Sequence, residues 1–234
     1  MKQRIWELDA LRGLCILGVI VVHFIFDITT LFRLVDWQLP QGFLLLQQWG
    51  GVIFVLISGT CATMGSRSVK RGLIVFGCGM LCTAVTAGMY FLNMADASII
   101  IYFGVLHCLG VCMLLWPIFR KQSWQSLLSL GAVLIAMGFV LGEMRGTTLW
   151  LMPLGLVTAD FATSDYFPLL PYLGFFLAGA AFGRLLYPQK QTLLPNVNAN
   201  NPILRFFRFC GKHSLWIYLL HQPVLNGICW LLAR

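Results

Sequence analysis

Apolar residues in this chain come in long runs, and the polar residues gather mainly in the gaps between them. Seven runs can be drawn, at 9–31, 48–66, 70–92, 101–119, 125–142, 166–187 and 212–232. Each is close to the roughly 20 residues that a helix needs to cross a bilayer core about 30 Å thick. The alternating ten-residue segments of a membrane β-barrel are absent from the sequence. The pattern predicts an all-α integral membrane protein, a polytopic bundle of about seven transmembrane helices. It reads as one domain over 1–234, with a single real linker at 188–211. In that linker "PQKQTLLPNVNANNP" reads as loop. The following "PILRFFRFC" places Pro202 at a helix start and mixes Arg with Phe, which predicts a short helix lying at the cytoplasmic interface. The stretch 146–159, "GTTLWLMPLGLVTA", is too broken by Gly and Pro for a span and reads as interfacial or re-entrant.

Composition agrees with the pattern. The chain is 59% hydrophobic and 10% charged, where soluble domains carry about 25% charged residues. The net charge of +8 follows from topology more simply than from a nucleic-acid partner. With the N-terminus inside, Arg33, Arg145 and Arg234 are the outer cations, and all the rest of the 16 Lys and Arg fall on the inner side. That asymmetry predicts a cytoplasmic N-terminus and an external C-terminus. "MKQR" before an apolar run mimics a signal peptide, but Asp9 and Arg12 interrupt the run and no cleavage pattern follows near residue 28, so it reads as a retained first span. Eight cysteines are scattered without a CxxC pair and read as small apolar fillers. No metal site is expected.

The first span keeps groups that lipid penalises. "LDALRGLCILGVIVVHFIFD", residues 8–27, holds Asp9, Arg12, His23 and Asp27. Arg12 and His23 are eleven residues apart, which is within about 20° of three whole helical turns and about 16 Å of rise. Asp9, Arg12, His23, Asp27 and Thr30 fit one face by steps of three and four. A charged group at mid-bilayer costs about 2.5–3.5 kcal/mol on insertion scales, so a face that keeps several of them looks inward. Asp27 lies one turn beyond His23 and within its reach. Asp9 and Arg12 have the alternative of acting as interfacial anchors.

Two further spans carry a histidine. His107 sits near the outer start of the fourth, in "IYFGVLHCLGV", and His221 in the middle of the last, in "KHSLWIYLLHQPVLNG". Ser214, Tyr218, His221 and Gln222 form a polar stripe there, and Pro223 frees a carbonyl one turn earlier. The similar depth of His23, His107 and His221 suggests convergence on one cavity; plain interhelical hydrogen bonds are the simpler alternative. Asp165 is positioned to cap the sixth span, and Tyr166 suits the interface; both are candidates for contact with a substrate at the outer mouth. Gly179 and Gly183 form a small-xxx-small pair suited to helix packing.

The segments "RIWELDALRGLCILGVIVVHFIFD", "YFGVLHCLGV", "DYFPLLPYLGFFLAG" and "GKHSLWIYLLHQPVL" resemble the bacterial family related to the catalytic domain of heparan-α-glucosaminide N-acetyltransferase. That group is similar to the acyltransferase-3 membrane proteins, whose first span also holds an arginine and a histidine separated by ten residues. The resemblance implies transfer of an acetyl (acyl) group from cytosolic acetyl-CoA to a sugar-type hydroxyl or amine on the extracytoplasmic side. It implies an active-site histidine, matched here by His23, and a bacterial inner membrane. There are departures: the larger relatives have ten or eleven spans, and His107 aligns with their glutamine.

On this reading Arg67, Lys70, Arg71, Arg120 and Lys121 would hold the CoA phosphates, although each also serves the positive-inside signal. Arg12 would sit along the pantetheine path or order the inner gate. His23, oriented by Asp27, would act as general base or accept the acyl group covalently. His107 or His221 would donate a hydrogen bond to the oxyanion. The expected partners are the lipid bilayer, acyl-CoA and a carbohydrate-type acceptor, and so small a bundle leaves room for a homodimer. The same polar face also suits a proton-coupled small-solute transporter or a non-enzymatic structural membrane subunit.

Overall fold

The structure, a computed structural model, describes residues 5–233. Lys2, Arg4 and Arg234, which contribute to the charge asymmetry, lie outside the described residues. Among the described residues the regular structure is helical: α1 (Trp6–Phe26), α2 (Gln41–Met64), α3 (Ser68–Phe91), α4 (Val105–Phe119), α5 (Trp124–Gly142), α6 (Leu169–Leu186), α7 (Pro202–Lys212) and α8 (Ser214–Leu232). A π-helical turn, Asp27–Leu31, extends α1. Among the described residues, six helices are long and apolar enough to cross a membrane: Trp6–Leu31, α2, α3, α5, α6 and α8. Large apolar side chains such as Leu73, Val85 and Leu220 stand exposed along them, as lipid-facing positions do.

α4 is shorter than the run from 101 predicts. Its 15 residues rise about 22 Å, less than a bilayer core. The difference has a local cause. Residues 99–105 are tied to the segment before α6: the Phe167 N–H donates to the Phe103 carbonyl at 3.0 Å, and Thr163 and Ser164 hydroxyls donate to the Ile100 and Ile99 carbonyls at 2.6 and 2.7 Å. These bonds hold 100–104 and 163–168 outside helix, so α4 starts at Val105 and α6 at Leu169 rather than at 166. The 146–159 stretch forms a 3-10 turn, Leu149–Leu154, closed by Gly155 at φ +113°.

The chain divides into two compact units, 1–54 with 189–234, and 55–188. In the first, α7 runs antiparallel along the start of α1. A Cβ on Gly13 would collide with the Phe207 carbonyl, and one on Gly211 with the Asp9 carbonyl; one turn forward on α1 matches one turn back on α7. Glu7, buried, fastens the linker to the same end, accepting from the Thr192 hydroxyl and the Leu193 N–H, both at 2.8 Å. α8 runs in the sense of α1, with Ser214 opposite Arg12 and His221 opposite His23.

In the second unit, α3 and α4 are antiparallel, as are α5 and α6: Gly72 meets Gly110 and Leu114 while Gly79 meets His107, and Gly131 meets Gly174 while Gly138 meets Pro171. Gly179 and Gly183 pack on the α2 residues of this unit, as their spacing predicts; a side chain on either would strike Leu56 or Thr60. The Thr60 hydroxyl donates to the Gly179 carbonyl across that contact at 2.7 Å.

Candidate active site

α1 and α8 bring two of the three expected histidines together. The rings of His23 and His221 lie edge to face, with centroids 4.9 Å apart. His221 is 9% exposed, and its Nδ1 lies against the Tyr218 carbonyl one turn earlier on α8. A carbonyl only accepts, so Nδ1 carries the proton and, in the neutral ring, Nε2 is a bare lone pair. That Nε2 is buried with no hydrogen-bond partner.

Asp27 is fully buried where α1 widens into its π turn. Sequence reasoning paired it with His23. In the structure its Oδ1 instead accepts from Gln222 Nε2 at 3.2 Å, because α8 lays Gln222 against it. The π turn also changes the register, with the Phe32 N–H reaching back to the Asp27 carbonyl. Thr30, assigned to the inward face by regular 100° steps, is consequently exposed. Three acceptors of the Asp27–Gln222 pair and of the next turn of α8 are buried without donors: Asp27 Oδ2, Gln222 Oε1 and Asn226 Oδ1. A buried, unsatisfied polar atom costs about 1–3 kcal/mol, and two of these three lie one turn apart on α8. At the other end of α1, Arg12 donates to the Ser214 hydroxyl at 2.9 Å, which latches the starts of α1 and α8; its Nε is a further buried atom without a partner.

His107 belongs to the second unit and is held differently. It is 2% exposed. The Gly104 N–H donates to its Nδ1 at 3.2 Å, and its Nε2 lies 3.3 Å from the Thr83 hydroxyl oxygen. Thr83 gives its own proton to the Ile101 carbonyl at 2.6 Å. The tautomer is therefore fixed: Nδ1 accepts, and Nε2–H donates to Thr83. Phe76 stands perpendicular to the ring and Phe103 stacks on it, with centroids at 5.5 and 5.6 Å. Both nitrogens are spent on holding the start of α4.

Asp165 and Tyr166 are likewise engaged within this unit. Asp165 Oδ2 accepts from the Val105 N–H at 3.0 Å, which caps α4 rather than the sixth span. The Tyr166 hydroxyl donates to the Met152 carbonyl at 2.7 Å and ties down the 3-10 turn. The five candidate CoA cations are exposed: Arg67, Lys70 and Arg71 at the start of α3, Arg120 and Lys121 just past the end of α4. Since α3 and α4 are antiparallel, these sit at the same end of the pair. Arg184, from the last turn of α6, joins them by donating to the Arg120 carbonyl. His107 marks the opposite end of α4, about 20 Å away along its axis.

Two contributors escaped the sequence reading as site residues. Asn226 lies one turn past Gln222 and only needed the polar stripe to be followed further. Arg184 was counted as a topology charge, and nothing short of the α4–α6 packing sets it beside Arg120.

Long apolar helices that bury imidazoles, a carboxylate and amides define a polytopic helical membrane protein. More particularly, the chain belongs to the family described as heparan-alpha-glucosaminide N-acetyltransferase, catalytic, whose model matches residues 4–223. Membership makes it an integral membrane protein of the transmembrane acetyltransferase kind. Neither the curated proteins nor the solved structures contain a match to it.

Proposed function

We propose that this protein transfers an acetyl group from cytosolic acetyl-CoA to a sugar-type hydroxyl or amine on the extracytoplasmic side of a bacterial inner membrane. The N-terminus would face the cytoplasm, as the placement of Lys and Arg favours. The observation that carries the reading is the His221 ring, with its proton held by the Tyr218 carbonyl and a buried, unpartnered Nε2.

That geometry suggests roles inverse to those expected from the sequence. His221 has no proton to offer an oxyanion in its neutral form, and His107 has already given its own to Thr83. His221 Nε2 is the natural general base. His23, edge-on beside it, is left as the N–H donor to the developing oxyanion. In the step, the acceptor oxygen or nitrogen attacks the thioester carbon and its proton passes to His221 Nε2. The carbon–sulfur bond then breaks, and the proton leaves with the sulfur as free CoA. Arg67, Lys70, Arg71, Arg120 and Lys121, now with Arg184, would hold the CoA phosphates. Asp165 and Tyr166 would shape the acceptor side through the loops that they fix. Family membership favours this reading over solute transport or a purely structural subunit.

The test is turnover of acetyl-CoA by the purified protein, with free CoA and acetylated product followed by mass spectrometry over a panel of hydroxyl- and amine-bearing sugars. Turnover is expected for the wild type and its loss in His221→Ala and His23→Ala. Undiminished turnover in both variants, or acetyl-CoA left intact with every acceptor, would overturn the proposal.

A further inference from the structure

The donor-less acceptors around Asp27 make up a chemistry that acetyl transfer does not use. Asp27 is fully buried, with Oδ1 taken by Gln222 Nε2 and Oδ2 unpartnered. Gln222 Oε1 and Asn226 Oδ1 are buried and unpartnered as well. Gln222 and Asn226 are one helical turn apart. Asn226 therefore continues the α8 stripe that Gln222 lays against Asp27. Pro223 has no N–H, which deprives the Leu219 carbonyl, on the same stripe, of its helical partner.

The sequence supplies no counter-charge from the helices that meet here. α8 carries no Lys or Arg. On α1, Arg12 is committed to Ser214, about 22 Å back along the axis. Every unsatisfied group in the cluster of Asp27, Gln222 and Asn226 is a hard oxygen, and the only formal charge among them is a single carboxylate. Hard oxygen donors select hard cations, and one buried carboxylate balances the charge of a monovalent ion but only half that of a divalent one. Carbonyls of interrupted membrane helices are known ligands for sodium.

We propose that Asp27, Gln222 and Asn226 form a binding site for a small monovalent cation of the sodium type. The ion would neutralise the carboxylate and take up the free oxygens. Through Gln222, the neighbour of His221, it would fix α8 against α1 beside the histidine pair. The proposal goes beyond the acetyltransferase reading and stands or falls without it.

The experiment uses the full-length protein in detergent. Radiosodium binding is measured by displacement, and thermal unfolding is followed over a NaCl series with choline chloride holding the ionic strength constant. The expected result is saturable binding that unlabelled Na+ displaces and choline does not. The midpoint should rise by about 3 °C for each tenfold increase in Na+ beyond half-saturation. Asp27→Asn should abolish both effects, and Asn226→Ala should weaken the affinity at least about tenfold. If Asp27→Asn does not fold, Asn226→Ala and wild-type radiosodium binding decide the matter. No displaceable sodium on the wild type, as for a carboxyl that simply keeps its proton, overturns the proposal. So does binding undiminished in the variants that fold.

Discussion

His107 and His221 are the same residue, each buried in an apolar helix, and they stand in opposite conditions. His107 has both ring nitrogens engaged, one by the Gly104 N–H and one by Thr83, between two phenylalanine rings. His221 has one nitrogen engaged by Tyr218 and the other buried with nothing to bond. Burial and residue type therefore do not distinguish a structural histidine from a reactive one. Completeness of hydrogen bonding separates these two: the ring of His107 is satisfied within the fold, while the bare Nε2 of His221 is what the proposed mechanism uses.

The contrast can be broken most easily at His221. Replacing it with Ala should cut turnover about 10²–10⁴-fold, the usual worth of a general base, with unfolding in a denaturant series close to wild type. His107→Ala should do the reverse. It strands the Gly104 N–H and leaves a void beside Phe103, at a cost of about 2–4 kcal/mol, while turnover per folded molecule stays within about threefold of wild type. A turnover loss in His107→Ala as deep as that in His221→Ala would erase the distinction. Thr83→Val sharpens it further: the loss of the hydroxyl between His107 and the Ile101 carbonyl should cost about 1–2 kcal/mol, read by the same denaturant series, and leave the rate alone. The smallest effect is expected among the exposed cations. Arg71→Gln should raise KM for acetyl-CoA about threefold at constant kcat, since a single exposed charge is worth under about 1 kcal/mol. An unchanged KM in a variant lacking both Lys70 and Arg71 would remove this end of the second unit from CoA binding.

Most of the fold was legible because span length and apolar runs are properties of local sequence. The runs at 70–92, 125–142 and 212–232 became α3, α5 and α8 with ends moved by at most two residues. The run from 101 was not, since what shortened α4 was pairing with 163–167, more than sixty residues away. At the site, the spacing of Arg12, His23 and Asp27 along one helix was readable, but the register beyond Phe26 was not, because a π turn leaves no periodic mark. The partners were the least readable part. Asp27 meeting Gln222, and Asp165 capping α4, depend on which helix lies alongside.

The claim that separates the two histidines is which nitrogen holds the proton, and ¹⁵N NMR of histidine-labelled protein in nanodiscs reads it directly, with His107→Ala and His221→Ala assigning the signals. The account predicts that neutral His221 has a protonated Nδ1 and a bare Nε2, and that His107 has the opposite arrangement. A His221 ring found with its proton on Nε2 would make it a donor rather than a base and would contradict the mechanism.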